Sequence, residues 1–391
     1  MTQPDQTNWT LVLVLWVAGL GAAAQFGKIA VLYDILGLIY PGAGIGLMVS
    51  VVGLVGLVFG VSAGLVVQQL GYRRALVAAL ALGALMSAVQ ATLPGYRLMM
   101  LTRVVEGFSH LAIVVAGPVL IARVTAPRHY GAAMSLWSSF FGVSFALTFW
   151  LGMALVTATG PASLFIVHAA FMAGLAVLLG LMIPAASSTP DPAPLSMRKL
   201  ARQHAEIYAS PRIAAPALGF VFYTAMYVAL LTLLPTRFAG ADRVMVATAM
   251  PLISIMVSLT IGVWLLGRIR AVTLVQYGFA LAGGAAALLW AVWGNSVLAV
   301  VAALLIAAAL GLVQGASFAS IPQLNHGQDD RAYAAGAVAQ LGNLGTTTGT
   351  PILAWLIALF GTSGIYVFIL PLAIGGILMT KWLATRRNQT A

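Results

Sequence analysis

The chain has 391 residues, of which 61% are hydrophobic and 7% charged, with a formal net charge of +11 and a mean hydropathy of +1.02. A water-soluble domain of this size needs far more polar surface, so the composition excludes one and predicts a protein embedded in the lipid bilayer. The positive charges recur at alternate breaks between apolar segments instead of forming one basic face, which excludes a nucleic-acid partner. Cysteine is absent, so disulfides and thiol chemistry are excluded as well.

Apolar segments follow one another along the chain, each long enough to cross a bilayer core of about 30 Å. The first is too long for a signal-peptide core, and we expect it to be retained as a helix. We predict an all-α membrane protein with twelve transmembrane helices in two six-helix bundles. The predicted helices span residues 9–33, 42–68, 74–93, 97–123, 131–158, 162–183, 213–236, 244–267, 271–293, 296–320, 333–360 and 364–385.

Lys28 lies near the end of the first predicted helix, three residues after Gln25 and on the same helical face. A cation in hydrocarbon costs roughly 2.5–3.5 kcal/mol even on lenient insertion scales, so such a residue is by default functional. We interpret Lys28 as a group that recognises a carboxylate or similar anion, with Gln25 beside it. The alternative is a lysine whose side chain extends to the outer membrane surface.

The fourth predicted helix carries Arg103, Glu106 and His110, which follow helical spacing and share one face. At 1.5 Å per residue, Lys28, Arg103 and Glu106 fall at a similar depth in two helices of opposite direction. Glu106 is the acid that lies deep in a predicted span, which makes it a candidate proton site, and His110 and His168 are candidates to relay protons. The alternative for Glu106 is a permanent salt bridge to Arg103. Arg103 is a candidate substrate-binding residue, since its guanidinium is suited to bidentate binding of an anion, and its alternative role is in the fold or the transport cycle.

Residues 184–212 separate the first six predicted helices from the last six. This segment opens with a Pro-rich, Ser- and Ala-containing stretch that is typical of a linker. From Ser196 to Tyr208 it has the spacing of a short basic amphipathic helix on the cytoplasmic membrane surface. The alternative is a binding site for a cytosolic regulator. We therefore predict an N-terminal bundle at 1–183, a cytoplasmic linker at 184–212 and a C-terminal bundle at 213–391.

The two predicted bundles resemble each other at a fixed offset of 203 residues. The matching pairs are Arg128 and Arg331, Tyr130 and Tyr333, Gly142 and Gly345, and Phe165 and Phe368. Such a pseudo-twofold repeat predicts a substrate site near the membrane midplane between the bundles, with alternating access.

The second half has no deep acid or base, and its polar groups are neutral. We assign as candidate substrate contacts Tyr223, Tyr227, Gln314, Gln340 and Asn343. The alternative for each is a hydrogen bond between neighbouring helices.

Fourteen Lys and Arg residues fall in one set of breaks and three in the opposite set. By the positive-inside rule both termini are therefore cytoplasmic, and we expect the protein in a bacterial inner membrane.

Two segments resemble the major facilitator superfamily, and the likeness extends over essentially the whole chain. The break Gly64-Leu-Val-Val-Gln-Gln-Leu-Gly71-Tyr-Arg73-Arg74 is similar to the superfamily's signature loop, with Gln68 and Gln69 where the family has an acid and a base. Arg103-Val-Val-Glu106-Gly107 is similar to a family pattern with Gln in place of Glu. The resemblance implies a monomeric transporter whose cytoplasmic side is gated by this loop. The implied gating residues are Gly64, Gln68, Gly71, Arg73 and Arg74.

These observations predict a secondary transporter that moves a small organic anion, of carboxylate type, by alternating access and coupled to protons. One alternative is a proton-coupled exporter of lipophilic or cationic compounds, and another is a membrane sensor or partner subunit without transport. No nucleophile–base arrangement or phosphate loop is found, so we expect no enzyme activity and no cofactor. No group of residues has metal-ligand spacing, so we expect no metal.

Overall fold

The computed structural model describes residues 5–184 and 197–389, so the Pro-rich part of the predicted linker lies outside the described residues. In these two ranges all regular structure is helical. Ten helical stretches there are long and apolar enough to cross a membrane. The predicted count of twelve spans and the cytoplasmic location of the termini stay predictions.

The chain divides into two compact units, Met1–Leu195 and Ser196–Ala391. The helices of the first unit are α1 Trp9–Val31, α2 Tyr33–Ile39, α3 Ile45–Ser50, α4 Val52–Leu70, α5 Tyr72–Gln90, α6 Tyr96–Arg123, α7 Tyr130–Ser138, α8 Phe140–Thr159 and α9 Ala162–Met182. Those of the second unit are α10 Met197–Ala209, α11 Ala215–Leu233, α12 Gly240–Val257, α13 Val263–Leu266, α14 Ala271–Ala291, α15 Ser296–Leu324, α16 Gln328–Phe360 and α17 Ser363–Gln389.

Several predicted spans are interrupted in the structure. The span predicted at 131–158 forms α7 and α8, which meet at Ser139. The Ser139 hydroxyl donates to the carbonyl of Leu136 at 2.7 Å and accepts from Trp16 Nε1 at 3.3 Å. A hydroxyl that bonds to the preceding turn competes with the helical ladder, which explains a break at this position. The span predicted at 244–267 likewise contains a π-helical turn at Ser258–Gly262.

In the first unit, α1 packs against α6, α8 and α9, and α5 packs against α6 and α9. The core between them is aliphatic towards one end and includes Leu15, Leu76 and Ile113. The same four helices α1, α5, α6 and α9 also carry the polar groups of the candidate site.

In the second unit, α16 lies directly against α11. A Cβ atom added to Gly345 or Gly349 would overlap the backbone of α11, at Val221 and at Ala225 respectively. These glycines therefore allow the two helices to approach at backbone distance, as small residues do between membrane helices.

Candidate functional site

A charge cluster formed by Lys28, Arg103 and Glu106 lies inside the first unit. All three side chains are fully buried. Lys28 belongs to the last turn of α1, and Arg103 and Glu106 are one turn apart on α6. The structure thus brings together the three residues that the sequence placed at similar depth.

Glu106 is the centre of the charge cluster. Its Oε1 accepts a hydrogen bond from Lys28 Nζ at 2.5 Å. Its Oε2 accepts from Arg103 Nη1 and, at 3.1 Å, from Gln90 Nε2 of α5. Both oxygens are engaged by cations, which is the arrangement of an ionised carboxylate with charge-assisted hydrogen bonds.

Arg103 is oriented by backbone carbonyls as well as by Glu106. Its Nε donates to the carbonyl of Met48 at 3.0 Å and its Nη2 to that of Val49 at 3.2 Å. These carbonyls belong to the last turn of α3, which ends at Ser50, and the last four carbonyls of a helix have no intrahelical partner. The short break between α3 and α4 therefore supplies the acceptors that this guanidinium needs.

The ammonium group of Lys28 contacts side chains of three neighbouring helices. Besides Glu106, it donates to Ser87 Oγ of α5 at 2.5 Å and lies 3.5 Å from His168 Nδ1 of α9. The ring of Phe165 lies 5.5 Å from the ammonium nitrogen, within the range of a cation–π interaction. Such a lysine does not extend to the membrane surface, so the alternative interpretation of Lys28 is excluded.

The hydrogen bonds of His168 have a defined direction. Its Nε2 lies 3.0 Å from the carbonyl of Gly21, which only accepts, so Nε2 carries the proton. In the neutral ring Nδ1 is then the acceptor, and it receives the hydroxyl proton of Ser87 at 2.6 Å. A continuous chain of hydrogen bonds therefore runs from the Lys28 ammonium through the Ser87 hydroxyl and the His168 ring to the carbonyl of Gly21.

The formal charges of the cluster do not balance. Two cations share one carboxylate, and with neutral histidines the sum is +1. His110, the other ionisable residue on this face of α6, donates from Nδ1 to the carbonyl of Ala22 at 3.0 Å. A buried charge without a counter-charge carries an effective penalty of several kcal/mol, so the excess positive charge favours the entry of an anion.

Gln25, predicted as a substrate contact beside Lys28, is hydrogen-bonded to a serine of α6. Its Nε2 donates to Ser109 Oγ at 2.9 Å, and its Oε1 has no hydrogen-bond partner among the described residues. Gly83 of α5 makes room for this pair, since a Cβ there would lie 2.7 Å from Ser109 Oγ. Gln25 stays a proposed substrate contact, now with one free acceptor.

The candidate contacts of the second unit lie on three helices, α11, α15 and α16. Tyr223 and Tyr227 are buried and stacked, with ring centroids 5.1 Å apart, and the Tyr223 hydroxyl has no hydrogen-bond partner among the described residues. Asn343 donates to the carbonyl of Ala339, one turn earlier, at 2.9 Å. Gln314 is partly exposed.

Gln340 of α16 is hydrogen-bonded to the short amphipathic helix α10. Its Oε1 accepts a hydrogen bond from the Tyr208 hydroxyl at 2.8 Å. Burial raises the pKa of Tyr208 to about 12, so the phenol keeps its proton and remains the donor at neutral pH. This contact favours a role for Gln340 in holding α10 against α16.

The segment predicted as a gating loop is mostly helical: Gly64 and Gln68 belong to α4, Arg73 and Arg74 belong to α5, and Gly71 alone lies between the two helices. Gly71 has a φ of 81°, a left-handed conformation that favours glycine. Arg73 Nη2 donates to the carbonyl of Gly180 near the end of α9, at 2.5 Å, and Arg74 is exposed. A Cβ at Gly64 would meet no atom of the described residues within 4 Å. The side chain of Gln68 lies outside the part of the chain that the structure describes.

Two residues of the site were not predicted from the sequence. Ser87 and Gln90 lie three residues apart on α5 and reach Lys28 and Glu106 respectively. Their spacing places both polar side chains on one face of an apolar helix, a signal that was available in the sequence.

The sequence model of the Major Facilitator Superfamily matches residues 11–339. The chain belongs to this superfamily. The match confirms the resemblance carried by the loop at Gly64–Arg74 and by Arg103 and Glu106. A comparison with curated proteins found no match. Members of the major facilitator superfamily are multi-pass membrane proteins and secondary transporters, not enzymes, so the general function of the chain is transport.

Proposed function

We propose that this member of the superfamily is a proton-coupled transporter of a small organic anion, in which Glu106 occupies the place of the substrate's carboxylate. The observation that carries the proposal is the composition of the charge cluster. Lys28 and Arg103 share one carboxylate, and all three side chains are completely buried.

The sign of the excess charge favours an anion over a cation. Binding of a monoanion next to Lys28 and Arg103 cancels the formal charge of +1, whereas a cation doubles it. In a medium of low dielectric constant that difference amounts to several kcal/mol. The charge cluster therefore disfavours the exporter of cationic compounds.

Proton coupling follows from competition for the same donors. Protonation of Glu106 removes the only negative charge of the cluster, and Lys28 and Arg103 are then left with a formal charge of +2. A substrate carboxylate that accepts their hydrogen bonds returns the formal charge to +1. Proton and anion consequently favour each other's binding, and thermodynamic linkage requires the two effects to be equal. Alternating access then carries both across the membrane.

The proposal is tested by thermal unfolding of the purified protein with acetate, lactate, succinate or benzoate, each compared with its neutral amide. We expect one or more of the anions, but none of the amides, to raise the unfolding temperature. Between roughly pH 6 and 8 these acids are ionised. Within that range the apparent affinity should rise about tenfold for each unit by which the pH falls, because one proton is taken up with each anion.

Glu106→Gln is the matched control, since the amide has the shape of the protonated acid. In this variant we expect the affinity for the anion to be independent of pH and equal to the affinity that the wild type has at low pH. A pH dependence that persists in Glu106→Gln would assign the proton to His110 or His168 and contradict the role of Glu106. Stabilisation by lipophilic cations instead of anions would contradict the substrate class.

A further inference from the structure

An open recess lies in the second unit, whereas the charge cluster lies in the first. It is formed where α11 and α14 begin and where α15 and α17 approach their ends. Its lining includes Ala215 and Val272 in the first turns of α11 and α14, Ser317 of α15 and Arg387 of α17. No acidic residue is part of this lining.

The recess presents hydrogen-bond donors from several directions. The first turn of a helix carries backbone N–H groups without intrahelical partners and the positive end of the helix dipole. Two such helix starts, α11 and α14, line the recess. The first N–H of α14, at Ala271, already donates to Gln323 Oε1 at 2.9 Å, and Pro216 of α11 has no N–H, so the remaining groups of these two turns are the available donors. The guanidinium of Arg387 adds a full positive charge. This combination favours an anion with several oxygen atoms.

Ser317 provides an independent indication of a ligand. Its side chain is 2% exposed, and its hydroxyl has no hydrogen-bond partner among the described residues. A buried polar group without a partner costs about 1–3 kcal/mol. An acceptor oxygen in the recess would remove this cost.

A second arginine strengthens the positive potential at the recess. Arg387 Nη1 donates to the carbonyl of Pro211 at 3.2 Å, and the next residue, Arg212, is close enough to repel it electrostatically. Two guanidinium groups near each other favour a doubly or singly charged oxyanion beside them.

We propose that this recess binds a phosphate group. Basic pockets between membrane helices bind lipid headgroups at the membrane surface. The depth fits a headgroup, since Trp382 lies one turn from Arg386 and stacks with it at 5.0 Å, and tryptophans are enriched at that level. The phosphate belongs either to an anionic phospholipid or to a soluble phosphate, and the two sources are separable by experiment.

The test is native mass spectrometry of the full-length protein in neutral detergent, with phosphatidylglycerol, phosphatidylcholine or inorganic phosphate added. We expect phosphatidylglycerol to bind more tightly than phosphatidylcholine. Inorganic phosphate that displaces phosphatidylglycerol at millimolar concentration would identify a soluble phosphate as the ligand. Failure of phosphate to displace the lipid would identify the phospholipid. Absence of binding by both would overturn the proposal.

Arg387→Gln and Arg386→Gln form a matched pair of neighbouring charge removals. We expect Arg387→Gln to weaken phosphatidylglycerol binding about tenfold or more, and Arg386→Gln to leave it within about twofold. Equal effects of the two variants would show that the lipid responds to net charge alone, and the proposed site would be wrong. Ser317→Ala serves as a second variant if Arg387→Gln does not fold. We expect it to weaken binding several-fold, and unchanged binding would likewise overturn the proposal.

Discussion

Replacement of Glu106 by Ala is expected to lower the free energy of unfolding by about 3–5 kcal/mol. The substitution leaves Lys28 and Arg103 fully buried without a counter-charge, which is the most costly way to break a buried ion pair. It also removes one of the two acceptors of Gln90 Nε2, the other being the hydroxyl of Thr102. Thermal unfolding of the purified protein in detergent measures the loss.

Lys28→Met is the matched comparison for this prediction. It removes one charge from the same cluster but leaves Arg103 and Glu106 as a neutral pair with their hydrogen bond intact. The methionine chain has nearly the length of the lysine stem, so packing is largely kept. We expect a smaller destabilisation than for Glu106→Ala. The reverse order would show that the balance of charge does not determine the stability of the cluster.

Gly349→Ala is expected to destabilise the second unit by about 1–3 kcal/mol. The new methyl group would overlap the backbone carbonyl of Ala225 on α11, and a backbone cannot move aside as a flexible side chain can. The unfolding temperature of the purified variant measures the effect.

Gly336→Ala is the control for this prediction, because it lies in the same helix and no atom of the described residues is within 4 Å of the new Cβ. There the higher helix propensity of Ala should stabilise the protein by up to about 1 kcal/mol. If the two variants change the free energy of unfolding in opposite directions, the loss in Gly349→Ala is due to the contact between α16 and α11. Equal effects would mean that this close approach contributes nothing to stability.

The similar depth of Lys28, Arg103 and Glu106 could be inferred from the sequence, but their contact could not. Charges in apolar helices need partners, and helical rise gives their depth along the helix. The same reasoning applied to α5 would have found Ser87 and Gln90, since both interrupt an apolar face at helical spacing.

Other contacts depend on local backbone breaks that periodicity does not reveal. The acceptors of Arg103 exist because α3 ends at Ser50, inside a segment that reads as one continuous apolar helix. The break at Ser139 is similar, since a serine hydroxyl is compatible with either a continuous or an interrupted helix. Gln25 and Gln340 were identified as polar positions, but their partners Ser109 and Tyr208 are set by tertiary packing.

The proposed coupling of proton and anion gives a physical reason for the charge cluster, a buried carboxylate between two cations. As a structural element alone, a neutral pair or an apolar core of equal volume would be as stable or more stable. An unequal cluster is instead sensitive to a single added proton or anion, because either one changes the net charge. That sensitivity is what a coupled transporter requires of its binding site.

The most direct test of this account is a count of protons taken up when an anion binds. The purified protein is placed in weakly buffered detergent solution near neutral pH, with the carboxylate that gives the largest thermal stabilisation. A pH indicator then records the change on binding. We predict uptake of about one proton for each anion bound to the wild type and none for Glu106→Gln. Binding of the anion to the wild type without proton uptake would contradict the proposed competition between Glu106 and the substrate.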